Sequence, residues 1–392
     1  MRAILFCCIL LISAGATAAT QLNVWHMLKE MDNDFSLLAT QFSAQHAEID
    51  VSVQLLPNEE LKAAVIRAKD QAVAPDIIII SSDNLGYAPL MHLSEVPAGL
   101  LDAQLAEPTL HALQFRQKTY AIPLFAGNHL LFLYNKQWVK QPVTQWQQLF
   151  EAHSHLAAKG VSTLALNYLE PYWFALFADL FGASLVQDDQ VALNNGSMAQ
   201  ALEFYQQLVT SGVAQADCGY QCVSEAFYQG QYAYAINGTW ALADAKARLG
   251  DNLGVAIFPT WQDHSIKPHA SYIVMIFPHK ALEGPKAGQI KEFVKYFSLP
   301  ENLQRLAAKH YLIPYYQLAD EVVPVTDPLY QQVLAQHQLS QLMPATEAMV
   351  SVWNAMQKGL LLHKAGTLTA TEAAAFMQKV ALRDQQLLAA GK

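Results

Sequence analysis

The stretch Pro75-Asp-Ile-Ile-Ile-Ile-Ser-Ser-Asp83-Asn84 carries the strongest fold signal in the chain. Four consecutive isoleucines follow a proline that stops the preceding helix pattern. An uninterrupted apolar run of this length predicts a strand covered on both faces, as strands of parallel sheets are. Polar residues follow at the carboxyl end of the strand, where ligands bind in open α/β sheets. The stretch therefore predicts a buried strand that delivers Asp83 to a binding crevice.

Alternating strand and helix patterns lead up to this strand. Residues 22–27 predict a short strand, residues 35–42 place apolar side chains at helical spacing, and residues 51–55 alternate as a strand does. A second helical pattern over residues 59–72 completes a β-α-β-α-β order, which favours an open, mostly parallel sheet. The predicted fold class is therefore α/β. Residues just after the first strand are expected at the same sheet edge as Asp83.

The strand patterns after residue 126 are too many for this sheet alone. They cover residues 130–134, 163–166, 232–236, 253–258 and 272–277. Two sheets are needed to use them, and the chain after Pro278 is mainly helical. No Gly/Ser-rich linker separates independent domains. We therefore expect two halves that are joined by several ordinary strand crossings.

The N-terminus has the pattern of an export signal. Arg2 precedes an apolar run over residues 3–12, and a small-residue stretch offers cleavage sites after Ala18 or Ala19. The run is shorter than the roughly 20 residues that a membrane-spanning helix needs. The pattern predicts a secretory signal peptide over residues 1–19 and a periplasmic mature protein. A buried N-terminal helix is the alternative.

Cys218 and Cys222 are the two cysteines that remain after removal of this segment. In an exported protein their C-x-x-x-C spacing favours a local disulfide. Free thiols and a metal site are the alternatives, although no histidine lies beside the pair.

The composition narrows the classes of function. The 392 residues contain 24 Lys+Arg against 33 Asp+Glu, a formal net charge of −9. Nucleic acid and anionic membranes are therefore poor partners, because both require clustered cations. The chain has no P-loop, no G-x-S-x-G elbow and no H-E-x-x-H motif, so no metal, cofactor or catalytic site is predicted. The 17 Phe, 16 Tyr and 7 Trp supply rings for stacking on a ligand.

Four ordered motifs carry a family resemblance. They are residues 75–87, Ala121-Ile-Pro with Leu133-Tyr-Asn-Lys136 and Trp146, residues 167–173, and Phe227-Tyr-Gln-Gly230 with residues 235–242. Leu342-Met-Pro344 and Trp353 extend the set into the tail. In this order and spacing the chain resembles the extracellular solute-binding proteins of sugar ABC transporters, and the maltose/maltodextrin binders above all. The resemblance covers about residues 20 to 388.

The resemblance implies a two-lobe periplasmic-binding-protein fold. Each lobe is expected to be a mostly parallel sheet flanked by helices, with the ligand in a cleft between the lobes. The first lobe would comprise residues 20–126 plus 275–322. The second would comprise residues 127–274 plus 323–392.

The same resemblance implies a set of ligand-binding residues. Sugar-stacking positions fall on Trp240, Tyr172 and Trp353, hydroxyl-binding positions fall on Glu170 and Asp83, and further positions fall on Trp173, Glu30, Lys29 and Asn128. The chemistry suits the match, because a pyranose needs flat rings for its C–H faces and planar carboxylates or amides for its polar rim. Trp25, inside the first strand, is expected in the core.

Several positions depart from the maltodextrin binders. Ile80 stands where they carry a tryptophan, Asn84 and Gln357 stand where they carry arginines, and Asn128 stands where they carry a glutamate. The order of Lys29 and Glu30 is reversed. These changes remove a platform and several charge-assisted hydrogen bonds. They weaken the expectation of maltose itself more than that of an oligosaccharide.

The sequence therefore predicts a monomeric binding protein that captures an oligosaccharide and delivers it to ABC permease subunits by hinge closure. Two alternatives stay open. The same fold would also suit a polyamine, a peptide or an anion, and a secreted glycosidase would pair Glu170 with Asp83 or another acid.

Overall fold

The computed structural model describes residues 19–69, 71, 73–102, 105–316 and 326–389. Residues 1–18 of the predicted signal peptide lie outside the described residues. No helix in the described ranges is both long enough and apolar enough to cross a membrane.

Fifteen strands and twelve helices are described, besides short helical turns. The strands are β1 Thr20–His26, β2 Ile49–Leu55, β3 Ile77–Ser81, β4 Gln114–Phe115, β5 Lys118–Thr119, β6 Ala121–Asn128, β7 Leu130–Asn135, β8 Ser162–Ala165, β9 Val186–Gln187, β10 Gln190–Val191, β11 Tyr232–Gly238, β12 Leu253–Ala256, β13 His269–Ile276, β14 Ile313–Pro314 and β15 Gln341–Leu342. The helices are α1 Asp32–Gln45, α2 Asn58–Arg67, α3 Glu107–Ala112, α4 Trp146–Ala157, α5 Pro171–Leu180, α6 Gly196–Thr210, α7 Leu242–Leu249, α8 Ala287–Phe297, α9 Pro300–His310, α10 Pro328–Gln338, α11 Glu347–Lys364 and α12 Ala370–Ala389.

The larger sheet has the order β14-β6-β13-β3-β1-β2, and β15 also pairs with β13. Strands β1, β2 and β3 are parallel, as the sequence predicts, but β13 runs antiparallel to both β3 and β6. The expectation of a mostly parallel sheet is therefore wrong, and the sheet is mixed. The reason is the path of the chain. Strand β13 comes from the second lobe and starts beside the carboxyl end of β3, so it runs antiparallel to β3.

The four isoleucines of β3 have no exposed surface. Ile77 and Ile79 pack into one hydrophobic core, whereas Ile78 and Ile80 pack into another that includes Trp25. Successive side chains of a strand point to opposite faces, so this division shows that the sheet is covered on both sides. The structure thus confirms the strand predicted from residues 77–80 and the core position of Trp25.

The smaller sheet has the order β12-β7-β11-β8. Strand β11 is parallel to β8 but antiparallel to β7, so this sheet is mixed as well. Its core takes residues from α5, α6, α11 and α12.

The described hydrophobic cores separate along the chain into two lobes. Residues between 22 and 125 and between 273 and 312 form the two cores of one lobe. Residues between 126 and 266 and between 329 and 381 form the core of the other, together with Ile313. We call these the first and second lobes. The chain passes between them at the junction of β6 and β7 and at the start of β13, which are the ordinary strand crossings that the missing linker predicts.

Candidate ligand-binding cleft

Three aromatic side chains that the sequence places far apart meet around Tyr172. Its ring centroid lies 6.3 Å from that of Trp240, with planes inclined by 37°, and 6.1 Å from that of Trp353, inclined by 66°. All three side chains are partly exposed. We call this group the ring wall.

Each ring is positioned by the end of a regular element. Tyr172 lies in the first turn of α5, directly after Pro171, and Trp353 lies on α11. Trp240 lies in the short helical turn Thr239–Ala241 that follows β11. A Cβ atom at Gly238 would lie 2.2 Å from the Trp240 ring, so only glycine permits the indole to fold back over the backbone.

The polar tips of the three rings are already bonded within the protein. The Tyr172 hydroxyl lies 3.0 Å from the carbonyl oxygen of Asn128 and 2.8 Å from that of His269. The indole nitrogen of Trp240 donates to the Tyr220 hydroxyl over 3.0 Å, and the Trp353 side chain interacts with Asp83. Burial, and then the charge of Asp83, raises the pKa of Tyr172, which keeps the phenol neutral. The rings therefore have their faces, and not their polar atoms, to offer a ligand.

Two carboxyl groups of the first lobe face this wall. Glu30 lies in the turn Lys29–Met31 after β1, and Asp83 lies in the turn Ser82–Tyr87 after β3. Burial raises the pKa of Glu30 and also that of Asp83. We call Glu30 and Asp83 the carboxyl wall. Lys29, beside them, is exposed.

The two lobes are in direct contact across these walls. Asp83 interacts with the Trp353 side chain, and Glu30 accepts a hydrogen bond of 2.8 Å from Tyr220 of the second lobe. Close packing continues beyond the carboxyl wall, because a Cβ atom at Gly86 would lie 2.4 Å from the carbonyl oxygen of Thr346. The turn after β3 is thus seated against the start of α11, the helix that carries Trp353.

The remaining predicted residues have different surroundings. Glu170 is half-buried at the position just before α5, two residues before Tyr172, and its side chain makes no capping hydrogen bond to the helix. Asn128 ends β6 at the crossing, and its amide donates to Ser271 Oγ over 2.9 Å. The structure places Trp173 in the core rather than at the cleft surface. Its side chain is 4% exposed, and its indole nitrogen donates to the Ile236 carbonyl over 2.7 Å.

Three residues stand where the maltodextrin binders carry a tryptophan or an arginine, and none of them replaces the missing ring or charge. Ile80 is fully buried, so it presents no platform. Asn84 is 4% exposed, and its amide donates to the carbonyl and hydroxyl oxygens of Ser81. Gln357 is exposed on α11. Of these three side chains, only that of Gln357 is exposed to solvent.

Tyr220 is the cleft residue that sequence reasoning missed. It lies between Cys218 and Cys222, which form the predicted disulfide. The pairing leaves neither sulfur for a metal. The signal was present in the sequence, because a residue inside a short disulfide loop is held rigidly, but nothing in its pattern indicated what the phenol would reach.

One group of side chains in the described ranges could hold a metal ion. Ligand atoms of His46, Glu48 and Glu292 lie within 4.8 Å of one another on the first lobe. Both glutamates are exposed, and none of the three residues belongs to either wall of the cleft.

Two lobes with separate cores, and a cleft walled by rings on one side and carboxyl groups on the other, define a two-lobe binding protein. The sequence model of the bacterial extracellular solute-binding protein family matches residues 38–332, and the chain belongs to this family. The family resemblance drawn from the four motifs is therefore confirmed.

Two solved structures share the fold of this chain. The maltose/maltodextrin-binding domain MalE from Bdellovibrio bacteriovorus, solved with maltotriose, superposes with a TM-score of 0.86 at 22% identity and covers 94% of this chain and 100% of its own. The GacH receptor of Streptomyces glaucescens, solved without ligand and with acarbose or an acarbose homolog, superposes with a TM-score of 0.84 at 22% identity over 94% of this chain and 99% of its own. These likenesses confirm the two-lobe α/β fold.

A curated relative has a different ligand in its name. The sn-glycerol-3-phosphate-binding periplasmic protein UgpB of Pectobacterium atrosepticum is 22% identical over 327 residues, which is 74% of this chain and 72% of the relative.

Proposed function

We propose that this protein is the substrate-binding component of an ABC importer, and that it captures an oligosaccharide in the cleft and delivers it to permease subunits. The observation that carries the proposal is the ring wall, where three rings meet and the polar atom of each ring has a partner within the protein. Such a wall offers apolar faces alone. The C–H faces of a pyranose match that surface.

The polar rim of the sugar would meet the other residues of the site. We assign hydroxyl recognition to Asp83, Glu170, Glu30, Lys29 and Asn128, and stacking to Tyr172, Trp240 and Trp353. Trp173 supports the ring wall from the core. Carboxylates orient hydroxyl groups through charge-assisted hydrogen bonds. A ligand that binds both walls stabilises the closed arrangement of the lobes, which is the hinge mechanism of two-lobe binders.

We further propose lobe boundaries at residues 20–126 plus 275–322 and 127–274 plus 323–392. The separate cores support them except at Ala126, Ile273, Val274 and Ile313, each of which packs into the core of the other lobe. The chain would work as a monomer in the periplasm after removal of residues 1–19. The family description of extracellular binding proteins supports the compartment and favours a carrier over a glycosidase.

The walls of the cleft favour a neutral sugar over a phosphate ester. Phosphate recognition needs arginine, lysine or a helix N-terminus aimed at the ligand. Among the nine candidate residues only Lys29 is basic, and it is exposed. A maltodextrin-like chain therefore suits the site better than glycerol 3-phosphate, although Ile80, Asn84 and Gln357 separate it from the maltose binders.

A polyamine is the second candidate. This candidate is favoured by Glu30 and Asp83, two half-buried carboxyl groups that face aromatic rings. Carboxylates and aromatic faces both attract the ammonium groups of a polyamine.

A thermal-shift screen separates these ligands, because a ligand of the native state raises the melting temperature. We expect a shift with maltotriose and none with spermidine or glycerol 3-phosphate. Calorimetry then measures the maltotriose affinity of Trp240→Ala, which should fall at least about tenfold because ring truncation at a binding hot spot costs roughly 2 kcal/mol or more.

Trp261→Ala is the matched control, since this half-buried indole of the second lobe packs on Phe204, outside both walls. Its affinity for maltotriose should remain that of the wild type. If spermidine alone raised the melting temperature, the proposed ligand would be a polyamine and not a sugar. If Trp240→Ala bound maltotriose with unchanged affinity, Trp240 would not belong to the binding site.

A further inference from the structure

Tyr220 connects the two walls of the cleft. Its hydroxyl donates to Glu30 Oε1 over 2.8 Å and accepts from Trp240 Nε1 over 3.0 Å. The directions of both bonds are fixed by chemistry, because an indole only donates, a carboxylate only accepts and a hydroxyl does both. A single phenol thus joins a stacking ring of the second lobe to a carboxyl group of the first. We call this chain of contacts the Glu30–Tyr220–Trp240 relay.

The backbone of Tyr220 is held from both sides. The Cys218–Cys222 disulfide closes around it with a separation of four residues. The amide of Cys222 donates to the Gly219 carbonyl over 2.9 Å, and Ser224 Oγ donates to the Tyr220 carbonyl over 2.7 Å. A π-helical turn over Cys222–Ala226 follows, and turns of this kind are frequent at functional sites. The phenol therefore projects from a rigid base.

A purely stabilising role explains this disulfide poorly. Cross-links act mainly by restricting the unfolded chain, and the effect grows with the length of the loop that they close. A loop this short gains little in that way. Its evident effect in the structure is local, because it fixes the residue that touches Trp240.

We propose that Tyr220 is a positioning residue, that the Cys218–Cys222 loop holds it in place, and that it sets the orientation of the Trp240 ring for ligand stacking. The ring is confined on its other side by the backbone of Gly238. The bond to Glu30 ties this arrangement to the first lobe. Opening the disulfide therefore loosens the ring and weakens ligand binding while the lobe stays folded. The inference rests on the proposed function for the choice of ligand and for the stacking role of Trp240.

Three variants test the relay. Tyr220→Phe keeps the ring and removes the hydroxyl, Cys218→Ser with Cys222→Ser opens the loop, and the third variant combines all three changes. The control is Tyr232→Phe, whose hydroxyl lies 3.2 Å from Cys222 Sγ and 2.9 Å from Gln215 Oε1 but outside the relay. The first measurement is the indole N–H resonance of Trp240 in the ligand-free protein. The second is the affinity for maltotriose.

We expect Tyr220→Phe to shift the Trp240 indole resonance and to lower the affinity about tenfold, because hydrogen bonds to charged groups contribute on this scale. The open-loop variant should move the same resonance and lose affinity by a smaller factor. Opening the loop should have little further effect in the Tyr220→Phe background, since residues that act as one unit are not additive. Tyr232→Phe should leave both measurements unchanged.

An unmoved Trp240 resonance in Tyr220→Phe would overturn the relay, and so would two affinity losses that multiply independently. A wild-type protein that binds no maltotriose would contradict the proposed function alone, because the resonance in ligand-free protein still decides whether Tyr220 positions the ring. Tyr220→Phe removes one oxygen atom, so the test does not depend on the open-loop variant folding.

Discussion

The two walls of the candidate cleft have opposite chemistry. In the ring wall, the polar atoms of Tyr172, Trp240 and Trp353 each have a partner within the protein. In the carboxyl wall, burial raises the pKa of Glu30 and Asp83, because desolvation outweighs the interactions of these groups with Tyr220 and Trp353. The ring wall is therefore complete before a ligand arrives, whereas the carboxyl wall is made more favourable by a ligand that donates hydrogen bonds.

Under the proposed function, this difference gives the two walls different roles in ligand binding. A preformed apolar surface supplies affinity at little cost in ordering. Half-buried carboxyl groups supply orientation and selectivity. A ligand that covers them without donating a hydrogen bond binds more weakly, because the carboxyl groups lose water and gain no partner. The order of expected effects follows from this division.

The largest effect is expected from Tyr172→Ala. The residue is the hub of the ring wall, so its loss also removes the packing partner of Trp240 and Trp353. We expect an affinity loss of roughly 3 kcal/mol, about a hundredfold, as for a central aromatic hot spot. Asp83→Asn keeps the shape of the carboxyl wall and should cost less than about tenfold.

Tyr172→Phe is the control for the ring itself. It keeps the platform and removes only the hydroxyl near the carbonyl oxygens of Asn128 and His269. Most of the affinity should remain. If calorimetry gave Asp83→Asn the larger loss, the carboxyl wall would carry the binding energy and the comparison would be reversed.

Sequence alone predicted much of this arrangement where a signal was local. The isoleucines of β3 specify a strand buried on both faces, and the spacing of Cys218 and Cys222 specifies their disulfide. The direction of a strand relative to its neighbours depends on the path of the whole chain, and local patterns do not predict it. Nothing within residues 269–276 says that β13 arrives from the other lobe, so its antiparallel direction could not be read from the pattern.

The candidate site shows the same limit at the scale of single side chains. Tyr172 and Trp173 are neighbours on α5, and successive helical residues point about 100° apart, so one reaches the cleft and the other the core. The sequence does not say which. Tyr220 was missed for a related reason, because its partners Glu30 and Trp240 are brought to it only by tertiary packing.

The second effect concerns the platform that the first lobe lacks. Ile80→Trp puts a tryptophan at the position where the maltodextrin binders carry one, but Ile80 is fully buried beside Ile78 and Trp25. We expect overpacking to lower the unfolding free energy by roughly 1–3 kcal/mol, with no gain in affinity. Thermal unfolding and calorimetry measure the two quantities, and Ile80→Leu serves as the conservative control.

A gain of affinity in Ile80→Trp without loss of stability would show that the carboxyl wall accepts a ring after all. The absence of an aromatic platform in the carboxyl wall would then be due to the side chain at position 80, and not to the position of the backbone there.

A third effect tests the backbone under the ring wall. Gly238→Ala would place a methyl group 2.2 Å from the Trp240 ring, so the indole must rotate away. We expect maltotriose affinity to fall by roughly tenfold, about 1.4 kcal/mol. Gly288→Ala is the matched control, since a methyl group there meets no atom within 4 Å. Equal affinities in the two variants would show that the position of the indole is not set by Gly238.

The smallest effect is a dependence on pH that comes from the carboxyl wall. Burial raises the pKa of Glu30 above its ordinary value of 4.5, so the folded protein holds this proton more tightly than the unfolded chain. The stabilisation is fully present below pH 4.5 and is lost as the pH rises through the folded-state pKa. Relative to Glu30→Gln, the wild type should therefore lose melting temperature across this window. Ligand affinity should change in the opposite direction, since the ionised carboxylate is the stronger acceptor.

The opposite signs make this prediction selective for the carboxyl wall. Glu151→Gln, at an exposed position of α4, should reproduce neither trend. A structural role for Glu30 without ligand contact would give the trend in melting temperature and leave the pH profile of affinity equal in wild type and Glu30→Gln. That result would place Glu30 in the relay to Tyr220 only, and would leave the ligand-orienting role of the carboxyl wall to Asp83.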